Sequence, residues 1–186
     1  MRSTYDREVL IIRERKNTAL VAIGSNLVAA DGRNPLENCR KAAMALGRVP
    51  GWRVAKLSRW YRTISDPPLP GAPRFVNGMA LLEAVGKPGD PADFLAMLHR
   101  IEDAAGRTRL FPNAPRTLDL DLIALDHLRR DSAAPILPHP RAHLRRFVLQ
   151  PLSELWPGWR HPVLGRTVED LISALPDTDP PEPISD

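Results

Sequence analysis

Between Pro115 and Leu122 the chain reads Pro-Arg-Thr-Leu-Asp-Leu-Asp-Leu, alternating aspartate with leucine directly after an arginine. In a strand, successive side chains point to opposite faces. Asp119 and Asp121 would then share one face, while Leu118, Leu120 and Leu122 bury the other. Two neighbouring carboxylates repel one another unless cations hold them. Such a pair suits Mg²⁺, a hard cation that takes oxygen ligands, keeps several waters and completes its shell with substrate phosphates. The same alternation also describes an ordinary half-buried strand with a solvated acidic face, so the decision falls to other residues.

Arginines flank this segment. Arg107 and Arg109 precede it, Arg116 opens it, and Arg145-Arg146 follows the turn Pro138-His139-Pro140. Arginines that converge on metal-bound carboxylates can neutralise a polyphosphate during transfer, whereas each taken singly is a solvated surface charge. Only four of the 26 Lys+Arg residues are lysine, and arginine's planar fork is the better phosphate ligand. Phe75 and Phe147, two of only four phenylalanines, either fill core or clamp a planar heterocycle. Asn77 shares the face of Phe75 and offers a donor and an acceptor to a heterocycle edge. Glu102, one residue off the apolar stripe of its helix, reads by default as a solvated charge. His139 and His143 stand four apart, but without further ligands they do not make a transition-metal site.

Several devices are absent from the sequence. There is no G-x-x-x-x-G-K-[ST] loop, no G-x-G-x-x-G after a strand, no serine-hydrolase elbow, no H-E-x-x-H and no paired C-x-x-C. Any phosphate must therefore be held by arginines and metal rather than by a glycine-rich cradle. No apolar run is long enough to span a bilayer, and none resembles a signal-peptide core. The lone Cys39 excludes an intrachain disulfide and reads as a small buried hydrophobe. The expectation is a cytoplasmic monomer with neither membrane nor nucleic-acid partners. The net charge is +4, and the four acids among residues 176–186 make the remainder more basic still, which fits an anionic ligand.

The elements that must position these residues are legible. Residues 1–18 read as a charged, loosely ordered extension, 19–175 as one domain, and 176–186 as a Pro-rich acidic tail without regular structure. Ala19–Ile23 is a continuous apolar run, hence a buried central strand, stopping at a turn Gly24-Ser25-Asn26. Asn34-Pro35-Leu36-Glu37 supplies cap, first-turn proline and capping-box glutamate for a helix ending near Gly47. Trp52–Tyr61 and Phe75–Glu83 read as strands joined by a Pro-rich loop. Asp90 caps a second helix closing at Gly106, and the Leu118–Leu125 strand follows. The order β-α-β-β-α-β is the ferredoxin-like split βαβ arrangement, an α+β fold with a mostly antiparallel sheet. Phe147-Val148-Leu149 adds a further strand, and Thr167 caps a last helix.

Taken together, these segments resemble the 6-hydroxymethyl-7,8-dihydropterin pyrophosphokinase family of folate biosynthesis, from about Ala19 to Leu175. The resemblance rests on Ala22-Ile23-Gly24-Ser25-Asn26-Leu27, Tyr61-Arg62-Thr63, Phe75-Val76-Asn77, Ile101-Glu102, Gly106-Arg107, the Pro115–Asp121 run, Pro138-His139-Pro140 and Arg145-Arg146-Phe147. It implies transfer of diphosphate from ATP to the hydroxymethyl group of a reduced pterin, with release of AMP. By matching position, Asp119 and Asp121 would hold two Mg²⁺ ions. Phe75 and Phe147 would sandwich the pterin, with Thr63 and Asn77 at its polar edge. Glu102, Arg107, Arg116, His139 and Arg145 would line the ATP side, with Arg107 and Arg116 also catalytic. Many relatives carry a tryptophan before the Gly-Pro-Arg of the acidic motif. Here the run is Phe111-Pro112-Asn113-Ala114-Pro115, about one residue shorter.

The rival reading is a small basic nucleic-acid-binding α+β module. Against it, aromatics are few, no RNP-like basic-aromatic strand occurs, and the aspartate pair would repel a phosphate backbone.

Overall fold

The computed structural model describes residues 17–107, 114–176 and 180–185. The Phe111–Asn113 run, the tryptophan departure and nearly all of the expected N-terminal extension lie outside the described residues. A six-stranded sheet runs in the order β5-β1-β4-β3-β6, with β2 also paired to β4. The strands are β1 (Thr18–Ser25), β2 (Trp52–Leu57), β3 (Tyr61–Thr63), β4 (Phe75–Ala84), β5 (Asp119–Leu125) and β6 (Glu182–Pro183). All their pairings are antiparallel, and the split βαβ order expected from the sequence is found with one more strand between α1 (Pro35–Leu46) and α2 (Pro91–Ala104).

Helices α1 (Pro35–Leu46) and α2 (Pro91–Ala104) cover one face. There Val21, Ile23, Leu120 and Leu122 pack with Cys39 and Leu46 of α1 and with Phe94 and Leu98 of α2. Helices α3 (Arg146–Leu155) and α4 (Val168–Ser173) cover the other face, where Leu20, Met79, Leu81 and Ile123 meet Val148, Leu149, Leu152 and Leu171. Each fully buried leucine or isoleucine contributes about 1.5–3 kcal/mol of transfer free energy. β1 reads as continuously apolar because it is central and both its faces are covered. Among the described residues, no helix is long and apolar enough to cross a membrane.

The helix starts follow their sequence signals. The Asn34 side chain accepts from the Glu37 N–H at 3.0 Å, and the Glu37 carboxylate accepts from the Asn34 N–H at 2.7 Å. Asp90 caps α2 through the Ala92 N–H at 2.7 Å, and Thr167 forms a capping box with Asp170.

Four expectations need correction. Residues 52–61 are not one strand but two, because the Ser58 hydroxyl accepts the Met79 N–H at 2.9 Å in place of a ladder bond. Gly24 and Ser25 belong to β1 rather than to a turn, since both pair with β4. Phe147-Val148-Leu149 is the first turn of α3, not a strand. Its buried neighbours Val148, Leu149, Leu152 and Leu155 follow a helical period that a three-residue apolar run does not reveal. The additional C-terminal strand lies instead at Glu182–Pro183, inside the segment expected to have no regular structure, because the edge of β3 offers it backbone partners.

Candidate active site

The α3/α4 face is only partly covered. Where the helices stop, the residues at the ends of three adjacent strands line a slot: Ala22 and Gly24 of β1, Phe75 and Asn77 of β4, and Asp119 and Asp121 of β5. The register makes this possible, for Gly24 lies opposite Asn77 on one side and Asp119 on the other. Ala22 likewise faces Asp121. Leu118, Leu120 and Leu122 are at most 3% exposed on the opposite face, so the alternation points both carboxylates into the slot, as expected.

Gly24 forms the floor. A Cβ there would come within 2.8 Å of the Asn77 Oδ1 atom, so any side chain would collide with the amide. Asn77 in turn donates from Nδ2 to the Thr63 Oγ1 atom at 2.7 Å, which fixes its orientation. Opposite the sheet, the first turn of α3 supplies Phe147 and the preceding residue supplies Arg145. The two aromatic rings are each capped by a cation: the Arg116 guanidinium lies 5.7 Å from the Phe75 centroid, and Arg145 lies 5.4 Å from Phe147.

Charge alternates along one side of the slot. The Asp119 carboxylate pairs with Arg107 at 2.6 Å and with Arg116 at 3.2 Å. Arg107 is itself held by Glu102, which is 2% exposed and accepts the Leu120 N–H at 2.6 Å. Glu102 is therefore not a solvated helix charge. Burial pushes its carboxyl above the usual range, against the opposing pull of the Leu120 N–H and Arg107. Arg145 pairs with Asp66 at 3.3 Å, and burial lowers its guanidinium below the ordinary value. His139 is pushed down, mainly by burial and also by Arg145 and Arg141, against the attraction of Asp121.

Seven of the residues singled out in the sequence therefore converge on one slot: Phe75, Asn77, Arg116, Asp119, Asp121, Arg145 and Phe147. Thr63, Glu102, Arg107 and His139 do not line it. Thr63 and Glu102 stand one contact behind, holding Asn77 and Arg107, and Arg107 reaches the slot through Asp119.

Other contributors escaped the sequence reading. Ser65 and Asp66 line the slot, the latter as the partner of Arg145. Asn26 ties the two loops that lead into β4 and β5. Its Oδ1 accepts the Arg116 N–H at 2.8 Å, and its Nδ2 donates to the Pro73 carbonyl at 3.1 Å. Ser25 donates to the Thr117 carbonyl at 2.7 Å. In the sequence Gly24, Ser25 and Asn26 stood out as a change from apolar to small polar residues and as part of the Ala22–Leu27 run behind the family resemblance, without a site role.

The donor set also bears on a metal. Among the described residues, no group of three or more His, Cys, Asp or Glu side chains comes together. Two carboxylates on one face fit a hard cation that takes its remaining ligands from water and phosphate.

Comparison with known proteins gives the family. The family model described as 7,8-dihydro-6-hydroxymethylpterin-pyrophosphokinase matches residues 20–157. A 2-amino-4-hydroxy-6-hydroxymethyldihydropteridine pyrophosphokinase of Pseudomonas aeruginosa is 40% identical over 157 residues, covering 84% of this chain and 90% of that one. The enzyme of the same name from Synechocystis sp. is 36% identical over 158 residues, covering 84% of this chain and 75% of its own length. A crystal structure of Plasmodium falciparum HPPK-DHPS, 14% identical, superposes with a TM-score of 0.64 over 89% of this chain. The chain spans 46% of that longer protein, and the likeness at this identity concerns the fold. The chain belongs to the 7,8-dihydro-6-hydroxymethylpterin-pyrophosphokinase family.

Proposed function

We infer that the slot over Gly24 is where this pyrophosphokinase works, transferring diphosphate from ATP to the hydroxymethyl group of 6-hydroxymethyl-7,8-dihydropterin in folate biosynthesis. The hydroxymethyl oxygen attacks the β-phosphorus and gives up its proton to solvent, the bond from that phosphorus to the α–β bridging oxygen breaks, and AMP leaves. The observation that carries this assignment is the meeting of Phe75, Asn77, Asp119, Asp121, Arg145 and Phe147 around one pocket, from three separate parts of the fold.

Phe75 and Phe147 receive the two faces of the pterin, and the Asn77 amide, held by Thr63, meets its polar edge. Asp119 and Asp121 would hold Mg²⁺, two ions in our reading. Bound there, the metal would supply charge neutralisation for the phosphates of ATP. Arg107, Arg116 and Arg145 add fixed positive charge where phosphate charge develops, and Glu102 holds Arg107 in place. His139 contributes to the ATP side from behind Asp121. Among the described residues no strong general base lines the slot, and the rate enhancement comes from in-line positioning and electrostatics.

The test is product identity. Purified protein should convert ATP to AMP only when both Mg²⁺ and the hydroxymethyl-dihydropterin are present, with equal amounts of AMP and pterin diphosphate. Formation of ADP, or of AMP without pterin, would defeat the assignment.

A further inference from the structure

Asn26 follows the last residue of β1, buried at 2% exposure and set behind the slot lining. With its neighbour Leu27 it holds both the N–H and the carbonyl of one residue, Arg116. The Asn26 and Leu27 N–H groups donate to the Arg116 carbonyl at 3.0 and 3.2 Å, and the Asn26 Oδ1 atom accepts the Arg116 N–H at 2.8 Å. The remaining arm, Nδ2, donates to the Pro73 carbonyl at 3.1 Å, two residues before Phe75 opens β4. A single amide thus joins the segment entering β5 to the segment entering β4. Asparagine supplies an acceptor and a donor on one short planar group, whereas ionised aspartate supplies the acceptor alone and alanine neither.

The joint is braced from behind. Ser25 donates to the Thr117 carbonyl at 2.7 Å, and Asn38 of α1, 4% exposed, donates from Nδ2 to the Leu27 carbonyl at 3.0 Å. The Arg33 Nε–H donates to the Asn38 Oδ1 atom at 3.3 Å, which fixes that amide in turn. Both ends of the Asn26 link lead to groups that meet the substrates. The Arg116 Nε atom lies 3.2 Å from Asp119 and its guanidinium carbon 5.7 Å from the Phe75 centroid, so this side chain stands between the phosphate side and the heterocycle side. A stem as long and rotatable as that of arginine returns to one place only when its backbone is fixed.

We propose that Asn26 is a positioning residue for diphosphate transfer, setting Arg116 against Asp119 through Oδ1 and Phe75 against Arg116 through Nδ2. The inference rests on the pyrophosphokinase reading of the slot and adds to it the group that keeps its two substrate sides in register. In-line attack tolerates little displacement, and misplacing a reacting group by about 1 Å costs about a hundredfold in rate. Asn26 therefore acts on kcat through Arg116 and, more weakly, on pterin affinity through Pro73 and Phe75.

The test is a double-mutant cycle on kcat, with pterin binding followed by its own fluorescence in the absence of ATP. Asn26→Ala should lower kcat about thirtyfold and raise the pterin dissociation constant about threefold. In an Arg116→Ala background the same substitution should lower kcat by less than about threefold, while the pterin effect persists. Asn26→Asp keeps the acceptor for the Arg116 N–H. It should hold kcat within about fivefold of the unaltered protein and still show the weakened pterin binding. Leu46→Ala, in the α1/α2 core, is the control for lost stability alone and should leave kcat of the folded fraction unchanged. Additive losses in the cycle, or a kcat loss in Leu46→Ala equal to that in Asn26→Ala, would overturn the proposal. If Asn26→Ala does not fold, Asn26→Asp decides, and a kcat loss beyond about fivefold or unchanged pterin binding would overturn the proposal. Those outcomes are distinct from failure of the functional reading, in which the unaltered protein itself makes no pterin-dependent AMP.

Discussion

The two faces of the sheet are made by the same strands, residue by alternate residue, and they end differently. On the α1/α2 face the apolar alternation runs to the ends of β1 and β5, and Ile23, Leu118 and Leu120 are sealed at 1–2% exposure. On the α3/α4 face the apolar set stops at Leu20, Met79 and Ile123, and the next positions are Ala22, Gly24, Asn77, Asp121 and Asp119. Burial there gives way to a slot whose floor is one missing side chain. One face supplies the stability that lets the other keep charged groups half-buried and a gap unfilled.

That contrast can be broken most severely at the carboxylates. Asp121→Ala should lower kcat by at least about a thousandfold, roughly 4 kcal/mol of transition-state stabilisation, while the thermal midpoint stays near that of the unaltered protein. Near-normal turnover would remove Asp121 from the metal site. Ile23→Ala, one residue from the floor but on the sealed face, should do the reverse. It should cost about 2–4 kcal/mol in urea unfolding and leave the pterin KM of the folded fraction unchanged.

Gly24→Ala tests the partition from the open side. The collision with Asn77 should weaken pterin binding about thirtyfold, near 2 kcal/mol, with a smaller loss in unfolding free energy. If Gly24→Ala and Ile23→Ala gave the same profile, the division between faces would fail. Phe75→Ala should weaken pterin binding by about 1–2 kcal/mol more than ATP binding, since only the heterocycle stacks on the ring. Equal losses would contradict the sandwich.

A support of the α3/α4 face also titrates. His161, 4% exposed, accepts the Val163 and Leu164 N–H groups on Nδ1, and burial chiefly, with His143, lowers its pKa to about 4. A depressed folded-state pKa adds stability above the ordinary value of 6.5, and that stability is lost as pH falls towards about 4. Between pH 7 and pH 5 the protein should lose about 2 kcal/mol in urea unfolding, and His161→Gln should flatten that slope.

Local signals read well in the sequence because they are local. The capping box at Asn34 and Glu37, the Asp90 cap and the alternation at Leu118–Leu122 each depend on residues within one turn or one strand. The α3 turn at Phe147 misled for the complementary reason, since a three-residue apolar run has no period until the helix packs. Glu102 looked solvated because its partners, the Leu120 N–H and Arg107, lie on other parts of the chain. Asp66 carries no motif of its own and matters only through Arg145, while the role of Asn26, within the Ala22–Leu27 motif, shows only in its contacts with Arg116 and Pro73. Of the arginines, read from composition as a sign of an anionic ligand, Arg107, Arg116 and Arg145 pair with Asp119 and Asp66 at the slot.

By itself the sequence determined which chemistry was available. Side-chain type and a period of two put two carboxylates on one face after an arginine, with aromatics and amides at matching strand positions. Only the tertiary structure decided that these groups meet. Antiparallel register set Gly24 between Asn77 and Asp119, and α3 delivered Phe147 and Arg145 across the gap. The physical reason is that periodicity is encoded within a segment, whereas register, burial of Glu102 and the pairing of β6 with β3 arise from contacts between segments far apart in the chain.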